Sequence, residues 1–146
     1  MASYLKALGP VLVLLSPLWG QLIEDQNHSR KEFMKQHHLS PALEFNQYKC
    51  NILMKKLQSV RNKASHIFLY APWYQIDNIC FNNWVERHKN VYIWGHQAFK
   101  VLKCSRKNNK SNYRETRSYS HIKFHCGTNG FVDRMRDMNV LQIIPT

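Results

Sequence analysis

Apolar positions follow three rhythms along this chain, and each change of rhythm marks a change of element. Between Arg30 and Leu39 the spacing predicts a short helix, with Phe33 and His37 sharing a face at i, i+4. Ser40–Pro41 ends it, because proline turns its predecessor away from helical dihedrals. A second helix is expected over Phe45–Leu57. Its apolar contacts are Tyr48, Ile52 and Met54–Leu57, and Lys55–Lys56 suit its C-terminal end. Ile67–Tyr70 is a β-prone run. Pro72 then opens a third helix at its first turn, through Trp73, Ile76 and Ile79 to Cys80. From Val91 the rhythm becomes that of strands: VYIW, then AFKVLKC. Ser105–Asn112 is a basic, turn-rich loop. Over Ser118–Cys126, Tyr119, His121, Lys123 and His125 fall on one face, and Ser120, Ile122, Phe124 and Cys126 on the other. Gly127–Gly130 reads as a turn, with short strands at Phe131–Val132 and Val140–Ile144. Helices precede antiparallel strands, which makes the class α+β.

The first residues follow a different logic. Lys6 precedes an apolar run from Ala7 to Leu18, and the chain turns polar after Gly20. A run this short is a signal-peptide core and cannot span a bilayer. Residues 1–20 are therefore expected to be a signal peptide, and residues 21–146 one secreted domain, with residues 21–29 polar and frayed. No second apolar run offers a membrane span. The formal charge is +12, and losing Lys6 with the leader leaves about +11. Such a charge favours polyanions without choosing among RNA, sulfated glycans and anionic cell surfaces.

Cys50, Cys80, Cys104 and Cys126 make an even set in a secreted chain, so two disulfides are expected. Three pairings are open to four cysteines. None lies in a C-x₂-C pair, which argues against zinc. His121 and His125 are about 13 Å apart on a strand and cannot share one ion. No metal or other cofactor is expected. Asn27-His28-Ser29 and Asn109-Lys110-Ser111 are sequons for N-glycosylation at Asn27 and Asn109.

The order of several fragments resembles the pancreatic ribonuclease superfamily over nearly the whole mature chain. Phe33, Gln36 and His37 match F-x-x-Q-H in the family's first helix. Cys50, Asn51, Met54 and Lys55 match its second. The signature C-K-x-x-N-T-F survives in altered form over Asn62–Phe68, with Cys80 twelve residues beyond Phe68 and a late F-H-C-G ending at Gly127. The resemblance implies three helices from the N-terminal half packed on a bent antiparallel sheet. It also implies the pairs Cys50–Cys104 and Cys80–Cys126. Asn62 stands where the signature has cysteine, and no partner cysteine lies near Tyr113, so that bridge has gone as a pair. Within the superfamily, EFMKQHHLSPALEFNQYKC, FKVLKC and ETRSYSHIKFHC resemble epididymal secretory proteins of the E-three type. That likeness implies a role in sperm maturation.

Pancreatic-type cleavage uses the 2′-hydroxyl of RNA as nucleophile. One histidine takes its proton, another protonates the leaving oxygen, and a lysine steadies charge on phosphorus. By resemblance His37 matches the first role, Lys63 the third, and Gln36 a phosphate contact. The matching position for the second falls at or near Met135, a thioether with no proton to give. No histidine follows His125. His66 and Ile67 replace the signature asparagine and threonine, and with the threonine goes the hydroxyl that helps read a pyrimidine. His37, Lys63 and Gln36 thus read as a degenerate remnant, and the protein as no enzyme. The expected partner is the sperm surface or another anionic glycan, met by a monomer, with nucleic acid held through charge alone. The alternatives are a weak ribonuclease using Asp133 or Asp137 as acid, and a cationic host-defence protein.

Overall fold

A computed structural model describes residues 28–57, 60, 63–108 and 112–145. The expected leader, both sequon asparagines and Asn62 lie outside these residues. Residues 28–37 form helix α1, which begins earlier and ends sooner than the spacing predicts. His38–Leu39 leave it as strand β1, drawn into parallel pairing with Leu69 and Tyr70. The start of α1 is held by Arg30, whose Nε and Nη2 donate to the two Asp77 oxygens at 3.0 and 2.6 Å.

The expected helix over Phe45–Leu57 is two pieces. A 3-10 turn covers Phe45–Gln47, and α2 covers only Cys50–Lys56. Tyr48 and Lys49 are extended between them. No local side chain caps α2 at Lys49. Instead the Cys50 N–H donates to Glu115 Oε2 at 2.6 Å, a carboxylate delivered from the sheet to a helix end that attracts anions. Arg117 Nη2 donates to the Tyr48 carbonyl at 2.6 Å and fixes the break.

Strand β2 is Ser65–Tyr70, and α3 is Trp73–Phe81 with Pro72 just before it. Four antiparallel strands follow: β3 Val91–Trp94, β4 Phe99–Arg106, β5 Tyr113–Cys126 and β6 Val132–Ile144. The two short strands expected at the C-terminus are one long β6. Its charged middle is held by pairing with β5 across register shifts, so its residues do not alternate cleanly and the strand is masked in the sequence. β5 is the spine. It carries β4 along Tyr113–Ser120 and β3 along Lys123–Cys126 on one edge, and β6 on the other.

Both faces of the sheet are covered. Phe68 and Leu102 pack toward α2 with Met54, while Leu69 and Val101 pack toward α1 and α3 with Phe33, Met34 and Ile76. Adjacent residues point to opposite faces, so continuous apolar pairs such as Phe68–Leu69 are the mark of a strand buried on both sides. Cys50–Cys104 pins α2 to β4, and Cys80–Cys126 pins α3 to β5. They close separations of 54 and 46 residues. Each is worth about 4 kcal/mol in the chain-entropy account.

Candidate active-site cleft

α1, β2 and β6 converge on an open cleft of about 180 Å³. His37, Lys63, Ile67, Met135 and Asp137 line it, with Ser65 and His66 beside them. The cleft therefore gathers His37 and Lys63 from opposite ends of the α1–β2 connection and sets Met135 among the facing residues. Gln36 is not among the lining residues; its carbonyl accepts a hydrogen bond from His66 Nε2 at 2.6 Å.

His37 is held in one orientation. Its Nδ1–H donates to the Ile67 carbonyl at 2.8 Å, and its ring packs on Phe33 with centroids 4.7 Å apart. On its other side lies His66. Burial first, and then the His66 and Lys63 charges, push the His37 imidazole down to about 3, against the Ile67 carbonyl that favours the charged form. His66 falls to about 4, chiefly through burial, with Gln36 raising it and Lys63 lowering it. Both rings are neutral at physiological pH. With Nδ1 committed to Ile67, the free lone pair of His37 is on Nε2, the atom that could accept a proton.

The remaining candidates separate. Met135 is half-buried, packed on the core that holds Ile122 and Phe124, and Phe124 is its pairing partner on β5. Asp137 reaches the cleft and accepts from Arg136 Nε at 3.3 Å. Asp133 faces elsewhere, against His125 Nδ1 at 2.5 Å. His125 is buried, its Nε2 3.1 Å from Arg134 Nη2 and its ring 4.8 Å from that of Tyr92. It is engaged in that cluster and is not among the residues that line the cleft. His121 donates from Nδ1 to the Gly95 carbonyl at 3.1 Å, so His121 and His125 hold different partners.

In the sequence His66 stands out only as a replacement for the signature asparagine. Its stacking on His37 depends on a parallel junction of two residues, β1 on β2, that no periodicity announces. A signal did exist in the two spaced histidines and a β-prone run, but nothing local ties position 37 to position 66.

Comparison with known proteins gives a consistent result. Residues 28–145 match the family model described as pancreatic ribonuclease. Two human proteins, epididymal secretory protein E3-beta and epididymal secretory protein E3-alpha, are 44% and 39% identical over 145 residues, covering 99% of this chain and 99% of each relative. Among solved structures, amphinase, a cytotoxic ribonuclease from Rana pipiens oocytes, aligns with a TM-score of 0.59 at 15% identity, over 77% of this chain and 99% of its own. Green turtle egg white ribonuclease aligns at 0.56 and 19% identity, over 74% and 98%. At such identities these two structures speak for the fold.

Proposed function

We propose that this chain, which belongs to the pancreatic ribonuclease family, is a secreted member that no longer cuts RNA and serves sperm maturation in the epididymis by binding sperm or another anionic surface. One observation supports the loss of cleavage: Met135, at the position the family resemblance gives to the proton donor, lines the cleft with His37, and no histidine lies beyond His125 in the sequence. A missing general acid costs about 10²–10⁴ in rate. The base is weakened as well. A proton arriving on His37 would lie against His66 and near Lys63 in a buried site, which is why its affinity for protons is so low. A base far below the working pH has little drive to take a proton from a 2′-hydroxyl.

The setting is supported by the names of the two human relatives, both epididymal secretory proteins. The mode of binding follows from charge. At +12 for the full chain, attraction to sulfated or sialylated surfaces is strong and falls with salt. Asp137 in the cleft favours a second reading, slow cleavage with a carboxyl group as acid.

Incubation of the purified protein with single-stranded RNA, read by release of 2′,3′-cyclic phosphate ends, tests the first claim. No product above blank is expected, and efficient cleavage overturns it. Slow cleavage abolished by Asp137→Asn would establish the second reading. Retention on heparin and on sperm should fall steeply as salt rises; binding indifferent to salt overturns the electrostatic account.

A further inference from the structure

A groove of about 360 Å³ runs between α3 and the turn that joins β3 to β4. It shares no lining residue with the cleft of His37. We infer that this groove is a binding site for a neutral sugar.

The chemistry of its walls carries the inference. Gln75 and Asn78 line it from α3, Asn82 from the cap just past its end, and Gln97 from the turn. Among the described residues none of these four carboxamides makes a hydrogen bond or ion pair within the protein. Each offers a carbonyl acceptor and two N–H donors. A neutral sugar presents the complement, adjacent hydroxyls that both donate and accept. Ile79 and Phe99 form an apolar floor, and Tyr74, 69% exposed, stands at one side as a flat surface for the C–H face of a pyranose ring. Tyr74, Asn78 and Asn82 recur every four residues, which brings them to one side of α3.

The absence of charge in this wall is informative in so basic a chain. No Lys, Arg, Asp or Glu lines the groove, and His96 is the one imidazole in its wall. A sulfated glycan or an RNA backbone finds amide N–H groups and His96 there, and none of the Lys or Arg charges from which nucleic-acid binding draws most of its affinity. A nucleobase could stack and pair with the amides, but its phosphate would find no Lys or Arg.

The walls are set before any ligand arrives. The Gly95 N–H donates to the Ile122 carbonyl at 3.0 Å, and the Gly95 carbonyl accepts from His121 at 3.1 Å, so β5 fixes one wall. Cys80–Cys126 fixes α3 to the same strand. A preformed groove does not spend binding energy on ordering itself.

The test titrates the full secreted chain with the methyl glycosides of glucose, galactose, mannose, fucose, N-acetylglucosamine and N-acetylgalactosamine. It is run near 1 M salt, where the Debye length is about 3 Å and charge attraction is screened. At least one glycoside should shift the side-chain amide signals of Asn78 and Asn82 in a saturable way by nuclear magnetic resonance. Replacing both, Asn78→Ala with Asn82→Ala, should weaken that binding about tenfold or more, as expected for two lost hydrogen bonds. Both side chains are exposed, so the variant should keep its fold, checked by circular dichroism. The proposal fails if no glycoside binds, if binding is unchanged in the double variant, or if cytidine and adenosine bind there in place of every sugar. Loss of the sugar site would leave the reading of the His37 cleft untouched, since the cleavage assay reports on that cleft alone.

Discussion

The imidazole of His66 lies flat on that of His37, with ring centroids 4.5 Å apart and planes 18° apart. The two rings stitch α1 to β2 in both directions. His37 donates to the Ile67 carbonyl, and His66 donates back to the Gln36 carbonyl. His37, the proposed remnant of a base, is thus also part of a structural seam, and charging its ring would set a buried positive charge against His66 and Lys63.

This seam makes the fold sensitive to acid. Unfolded histidine titrates near 6.5, whereas folded His37 and His66 titrate at about 3 and about 4. Between those values the unfolded chain binds more protons than the folded one, so stability rises with pH. It is fully present above about 6.5 and is lost as pH falls toward 4 and then 3. Each imidazole contributes a slope of at most about 1.4 kcal/mol per pH unit in that window. Urea unfolding at several pH values should show this limb, and His66→Asn should make it shallower. An unchanged slope in the variant would dissociate His66 from the effect.

The Arg30–Asp77 pair should matter more than a surface ion pair. It is bidentate and largely shielded, and the guanidinium also lies over Trp73 and Phe131 at 4.8 and 5.0 Å. Asp77→Asn leaves Arg30 with its charge and half its partner. The expected loss is about 1–3 kcal/mol, between an exposed pair and a fully buried one, because the pair is part-buried. Chemical denaturation with an unchanged m-value measures it. A loss under about 0.5 kcal/mol would class the pair with ordinary surface contacts.

Much of the fold was legible because the covered faces leave simple marks. Phe68–Leu69 and the alternation through Ile122, Phe124 and Cys126 follow from burial alone. The break at Tyr48–Lys49 was not legible, because Glu115 and Arg117 impose it from 65 and 69 residues away along the chain. The middle of β6 was hidden by its charges, which are solvated on an edge strand. In the cleft, His37, Lys63 and Met135 were found through ordered fragments of a familiar pattern. His66 stacking and the entry of Asp137 required the sheet register.

Glu115 offers a direct check on that long-range cap. Glu115→Ala removes the acceptor of the Cys50 N–H while the disulfide still holds the helix in place. A charged group at a helix N-terminus is worth about 1–2 kcal/mol. Amide exchange over residues 50–56 should quicken, with little change in α3. Uniform quickening across the molecule would show that Glu115 acts on global stability and not through α2.

Placing an imidazole at position 135 tests the geometry of the cleft itself. Met135 lines the cleft with His37, whereas Arg134 leans on His125 outside it. Met135→His should therefore give at least about tenfold more RNA cleavage than the unmodified chain, short of the 10²–10⁴ a well-placed acid supplies. The gain is held down because His66 still stacks on the base and Ile67 lacks a hydroxyl to position the substrate. Adding His37→Ala should return activity to background, since acid and base act as a unit. Arg134→His should stay at background throughout. Activity gained by Arg134→His and not by Met135→His would show that β6 presents the other face to RNA. No gain from Met135→His in a folded protein would show that the His37–Lys63 remnant has lost working geometry as well as its acid.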